Sequence, residues 1–147
     1  MNPVICGVDG WDSKSGSAAA VHLARQLARR FQRPVLFVIV IDADTDQTSR
    51  KAAGALLRHV TETSSDVEAS WTVEEGHPAD RLVALAGERA ASFLVVGNHG
   101  PRSSLLGSIS ADVSRRAPCP VVVVPPTVTE VEAEYRGGGV EAPGGSA

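Results

Sequence analysis

The run from Phe93 to Val124 constrains this chain more than any other stretch. It opens with an apolar segment, Phe93 to Val96, breaks at Gly97 and Gly100, turns helix-like at Gly107-Ser108, and ends in a second apolar segment, Val121 to Val124. That order is strand, glycine loop, helix, strand. Where a strand feeds a glycine-bearing loop and then a helix, the free N–H groups of the helix start converge above the sheet and can hold an anion. A phosphate group meets that requirement.

The rest of the chain repeats the alternation. Asn2 to Val8 is a short β-rich run that ends at Asp9, before the turn and cap residues Gly10 to Ser13. From about Ser15 the positions Ala20, Leu23, Ala24, Leu27 and Phe31 recur at helical spacing, with His22, Arg25, Gln26, Arg29 and Arg30 on the other face. Val35 to Ile41 is apolar throughout, as expected of an internal strand covered on both faces. After a polar loop, Asp42 to Gln47, a second helical stripe runs through Ala52, Ala53, Leu56, Leu57 and Val60. Val67, Ala69, Trp71 and Val73 then alternate with polar residues, which predicts a strand with one wetter face, at an edge of the sheet.

Pro78 suits the first turn of a third helix, which carries Leu82, Val83, Leu85 and Ala86 and is predicted to run to about Ala90. A fourth, Ser108 to Arg116, places Arg115 and Arg116 at its C-terminal dipole end. Pro118 and Pro120 before the last apolar run predict a second edge strand. Strands alternating with helices imply an α/β fold, a doubly wound parallel sheet with helices on both faces, right-handed crossovers, and a ligand at the carboxyl ends of the strands where their order reverses.

A chain of 147 residues is one domain's worth. The expected domain spans 1–126; residues 127–147, acidic, glycine-rich and poor in apolar side chains, read as a mobile tail. A formal charge of -3, from 14 basic and 17 acidic side chains, leaves no electrostatic footprint for nucleic acid or an anionic membrane. The first residues carry no leader pattern and no apolar run approaches a membrane span, so the expected location is cytoplasmic. Cys6 and Cys119 have neither CxxC nor metal-ligand spacing and read as packing residues. Gly10 to Ser17 is no phosphate loop, because Lys14 precedes the second glycine, Gly16, and there is no G-x-S-x-G elbow.

The loop resembles that of the universal stress protein family, whose nucleotide-binding members carry Gly-x2-Gly-x9-Gly-Ser/Thr here. Gly97-Asn98-His99-Gly100 supplies the first half and Gly107-Ser108-Ile109-Ser110 the second. The resemblance takes in Val4 to Gly10, Glu75 to Ala79 and Ala117 to Val121 in the same order. One departure is plain: six residues, Pro101 to Leu106, stand where the motif has nine. The resemblance implies a five-stranded sheet of order 3-2-1-4-5, with Asp9 and Gly97 side by side at the switch point. That order sets Cys6 and Cys119 two strands apart, roughly 9 to 10 Å, too far for a disulfide.

Carried over residue by residue, the resemblance implies a nucleotide site at Asp9, Val40, Gly97, Gly100, Gly107, Ser108 and Ser110, with ATP or another adenine nucleotide, AMP or cyclic AMP included, as ligand. Each residue has a plainer reading too: Asp9 as an Asx turn or helix cap, Val40 as core, the glycines as turn residues, Ser108 as an N-cap. His77 and His99 fall near the same face without partners at catalytic or metal spacing and read as surface histidines. The resemblance implies a stress sensor or regulator; no general base, metal cluster or arginine finger is identifiable, so the expectation is no enzyme, with at most slow incidental ATP hydrolysis. The alternative is a family member without nucleotide, its phosphate loop too short, acting as a homodimeric interaction module. The family often pairs through strand five, which implies a homodimer through Val121 to Val124, with regulatory protein partners that the sequence does not name.

Overall fold

A computed structural model describes residues 2–9, 17–98 and 107–125. Its elements are β1 (Val4–Gly7), α1 (Ser17–Phe31), β2 (Val35–Ile41), α2 (Gln47–Glu62), β3 (Ala69–Glu75), α3 (Pro78–Glu88), β4 (Phe93–Gly97), α4 (Ser108–Arg116) and β5 (Val121–Val124). All four strand pairings are parallel and the sheet order is β3-β2-β1-β4-β5. This is the doubly wound arrangement the alternation predicts, with β3 and β5 at the edges.

The sheet divides the interior into two layers. On one face Val4, Cys6, Val35, Phe37 and Val95 pack under α1 and α2; on the other Ile5, Leu36, Val38, Leu94 and Val96 pack under α3 and α4. Period-two alternation sends neighbouring residues to opposite faces, and helices on both sides make both parities apolar in the central strands. Cys6 belongs to the first layer and Cys119 to the second, and both are free thiols.

Several boundaries differ from the sequence reading, each for a local reason. The first turn of α2 lies ahead of its apolar stripe because Asp46 caps it, its carboxylate accepting the Ser49 N–H at 2.7 Å. The ladder of β3 begins at Ala69, since the Val67 N–H is used in a turn to the Ser64 carbonyl at 3.3 Å. Helix α3 stops at Glu88, short of Ala90, because Ala90 turns left-handed at φ 50°. Ala91 N–H then reaches the Ala86 carbonyl and Ala90 N–H that of Gly87, a Schellman ending. Helix α1 ends the same way over Gln32 (φ 54°).

Two aromatics are more open than their stripes suggest. Phe31, at the last turn of α1, is 52% exposed and rests against Phe93 with ring centroids 5.4 Å apart. Trp71 is 40% exposed because it lies on an edge strand over Gly54 of α2, whose missing side chain leaves room for the indole. The tail expected to be mobile, 127–147, lies outside the described residues.

Candidate functional site

Strand order reverses between β1 and β4, and the parallel register there pairs Gly7 with Val96. Beyond these residues the two chains part, and a cleft opens at the carboxyl ends of the strands. It measures about 670 Å³ out to its open mouth, and its lining includes Gly7, Asp9, Val38 and Val40 from β1 and β2. Pro78 and Leu82 of α3 close one side; Gly97, Gly107, Ser108 and Ser110 close the other.

The floor is apolar and close-fitting. A Cβ at Gly7 would stand 3.2 Å from Leu82 Cδ1 and 3.4 Å from Val96 Cγ1, so glycine keeps the floor open. Val40 sits one pleat beyond the end of β1. Even-numbered residues of β2 face β1, as the Val8 N–H to Val38 carbonyl bond at 2.8 Å shows, whereas Ile41 faces β3 and accepts the Gly76 N–H at 2.9 Å. The last bond from β1 goes to Val38, so the N–H and C=O of Val40 project into the cleft without a partner among the described residues. Unpaired strand groups beside an apolar wall can hydrogen-bond the edge of a flat heterocycle.

The other end is made of amides. Gly107 caps α4 at φ -62°, ψ 163°, with no side-chain cap, and the first bond within the helix is Ala111 N–H to the Gly107 carbonyl at 2.9 Å. The N–H groups of Ser108, Ile109 and Ser110 therefore face outward at the positive end of the helix dipole. Ser108 is exposed. Ser110 is buried, and its hydroxyl donates to the Gly97 carbonyl at 3.4 Å, a long bond that leaves it at the cleft wall. Asp9 is exposed, with its backbone N–H held by the buried Ser17 hydroxyl at 3.0 Å.

Beside Val40 the register brings Glu74. Its carboxylate accepts from the Thr72 hydroxyl and from Arg81 Nη2, each at 2.8 Å, and these bonds, Thr72's foremost, hold it below the usual carboxylate range. Next to it on β3, Glu75 accepts from Arg50 of α2, which also donates to the Thr45 and Ala43 carbonyls.

Of the sequence-predicted residues, Asp9, Val40, Gly97, Gly107, Ser108 and Ser110 all come to this one cleft. Gly100 and His99 lie outside the described residues. His77 is exposed at the N-cap of α3 and makes no cap bond. Sequence reasoning missed Gly7, Val38, Pro78, Leu82 and Asn98. The glycine within β1 was a usable sign, since strand glycines often mark close approach of another group. Among the described residues no three His, Cys, Asp or Glu side chains are grouped to hold a metal ion. No helix among them is long and apolar enough to cross a membrane.

This chain belongs to the universal stress protein family, whose family model matches residues 1–125. It is 35% identical over 141 residues to the universal stress protein Rv1636 of Mycobacterium tuberculosis, covering 82% of this chain and 94% of that one. It is 31% identical over 138 residues to a universal stress protein of Mycolicibacterium smegmatis; the match covers 84% of this chain but 46% of that longer protein. Among solved structures, the universal stress protein of Archaeoglobus fulgidus in complex with dAMP has the same fold: TM-score 0.72, 22% identity, 84% of this chain and 98% of that one. A universal stress protein in complex with cAMP is similar at TM-score 0.66 and 27% identity, over 86% of this chain and 100% of that one.

Proposed function

We propose that this protein binds an adenine nucleotide in the cleft between β1 and β4 and acts as a cytoplasmic regulator, not as a catalyst. The observation that carries the reading is the pairing of two chemistries in one cleft. An apolar slot with the Val40 N–H and C=O, unpaired among the described residues, lies at one end, and the outward amides of α4 lie at the other. The base enters between Val40, Pro78 and Leu82, and the phosphate meets Gly97, Gly107, Ser108 and Ser110, with Gly100 on the loop between. Asp9, at the end of β1, accepts from the ribose.

The short segment between Gly100 and Gly107 favours a compact phosphate. Three residues fewer than the motif remove up to roughly 10 Å of contour. AMP or cyclic AMP thus suits the loop better than ATP, in keeping with the cAMP complex of the relative described above. Calorimetric titration of the full chain with cyclic AMP, AMP, ADP and ATP tests this: micromolar binding that weakens as phosphates are added is expected. No heat from any of the four would leave the alternative, an interaction module on a nucleotide-binding scaffold.

The same reading includes a homodimer through β5. Leu94 and Asn98 donate to the Pro120 and Val124 carbonyls, so even-numbered residues face β4, and the amides of Val121 and Val123 face outward along an edge that no other described strand pairs. Such an edge is a template for a second strand. Val123→Pro removes one outward donor while sparing the ladder to β4. Sedimentation should find this variant monomeric and the parent dimeric; an unchanged dimer would place the seam elsewhere.

A further inference from the structure

Asn98, the residue after β4, is bonded in two directions. Its backbone N–H donates to the Val124 carbonyl at 2.8 Å, and its side-chain Oδ1 accepts the Gly107 N–H at 3.1 Å. One side chain therefore closes the two ends of the 99–106 segment on each other and holds the head of α4 against the end of β4. Gly107 brings no side chain to cap the helix; the Asn98 carboxamide instead takes up the N–H of the cap residue itself, the bond that the N3 side chain makes in a capping box, and leaves the first helical amides open.

Two consequences follow for an anion at that end. The Gly107 N–H is already committed to a protein acceptor, which leaves the amides of Ser108, Ile109 and Ser110 for the ligand. The carboxamide also has donors to spare: Oδ1 is used, while Nδ2 has no partner among the described residues. A neutral donor group at this point suits a phosphate, and a carboxylate of the same shape would repel one.

We propose that Asn98 is a positioning residue for the phosphate end of the cleft, fixing the α4 amides through Gly107 and selecting for an anion by presenting an uncharged carboxamide. The inference rests on the nucleotide reading above. It gives Asn98 a role separable from the base end, where Val40 and Leu82 lie on the far side of the cleft.

The test compares the full-length parent with Asn98→Asp and Asn98→Ala in calorimetric titrations against adenosine, AMP and ATP. Asn98→Asp keeps an acceptor for the Gly107 N–H and so guards against a variant that merely loosens the fold. Adenosine should bind all three proteins within about twofold, since no charge or phosphate contact is involved. Asn98→Ala should weaken AMP by about threefold to tenfold, the worth of one neutral hydrogen bond. Asn98→Asp should weaken AMP by more than about tenfold and ATP by more still, the difference shrinking in high salt as the charges are screened. Equal AMP affinity in all three proteins would overturn the proposal while leaving nucleotide binding intact, as would a parallel loss of adenosine and AMP. A parent that takes up adenosine but gains nothing from the phosphate would overturn it as well. A parent that binds none of the three would bring down the nucleotide reading and this inference with it.

Discussion

Replacing Gly107 with alanine should leave the fold nearly untouched and cost the ligand dearly. Gly107 has φ -62° and ψ 163°, angles open to any residue, so no strain comes with a side chain. Among the described residues the nearest heavy atom to its Cβ would be Asn98 Oδ1 at 3.8 Å, an ordinary contact. Two small effects on stability oppose each other. Loss of unfolded-state freedom on Gly→Ala stabilises by ~0.4–1 kcal/mol. Alanine is the poorer N-cap, a loss on the order of 1 kcal/mol. The net change should stay within ~1 kcal/mol, a Tm shift of no more than about 4 °C for a chain of this size.

The new methyl, however, stands at the mouth of the amide cluster, where an anion bonded to Ser108 and Ile109 must come within about 3 Å of backbone nitrogen. AMP affinity should fall at least tenfold, about 1.4 kcal/mol. Thermal denaturation and calorimetry on the same preparation separate the two effects. A Tm drop beyond about 10 °C would refute the relaxed cap geometry. An unchanged AMP affinity would refute close approach of phosphate to the head of α4.

Further expectations concern backbone, thiols and pH. Ala90 sits left-handed at φ 50°, so Ala90→Gly should stabilise by about 1 kcal/mol in urea denaturation. Gly76, at φ 133° and with its Cβ position 3.1 Å from Arg81 Cγ, should show the reverse, Gly76→Ala costing about 1–3 kcal/mol. Burial pushes the Cys6 thiol up to about 12 and leaves no path to it, so a thiol reagent near pH 8 should label Cys119 slowly and Cys6 only after unfolding. Glu74 has a folded pKa below its unfolded value, so its bonds to Thr72 and Arg81 contribute stability above about pH 4.3 that is lost as pH falls through the depressed value. The denaturation midpoints of the parent and of Glu74→Gln should differ at neutral pH and converge in acid; a gap that persists in acid would refute the linkage.

The parts of the fold legible in the sequence are those where side-chain pattern and punctuation agree. Helix α4 and strand β5 begin and end where Gly107, Arg115-Arg116 and the Pro118/Pro120 pair predict, and the unbroken apolar run of β2 marks it as internal. The end of α3 was not legible, because its stop is made by a left-handed alanine and alanine ordinarily signals more helix. Phe31 fits the α1 stripe by spacing, yet only the tertiary arrangement shows that the last turn lies at the start of β4, where Phe93 covers one side of the ring.

The site divides in the same way. Glycines and serines at loop positions point to the amide end. The base end is mostly main chain: the groups of Val40 left unpaired among the described residues arise from where β1 stops, which no side chain records. Leu82 and Pro78 look in sequence like any helix core and first turn. Nothing in the sequence singles out Asn98, whose carboxamide is found on Gly107.

The most direct measurement is a two-dimensional amide spectrum of the ¹⁵N-labelled protein titrated with AMP. The Val40 and Ser108 to Ser110 amides should shift together and saturate along one curve, while the edge residues Trp71 and Thr72 on β3 stay still. Shifts confined to other surfaces, or saturation of the α4 amides without Val40, would contradict a single cleft that holds base and phosphate at its two ends.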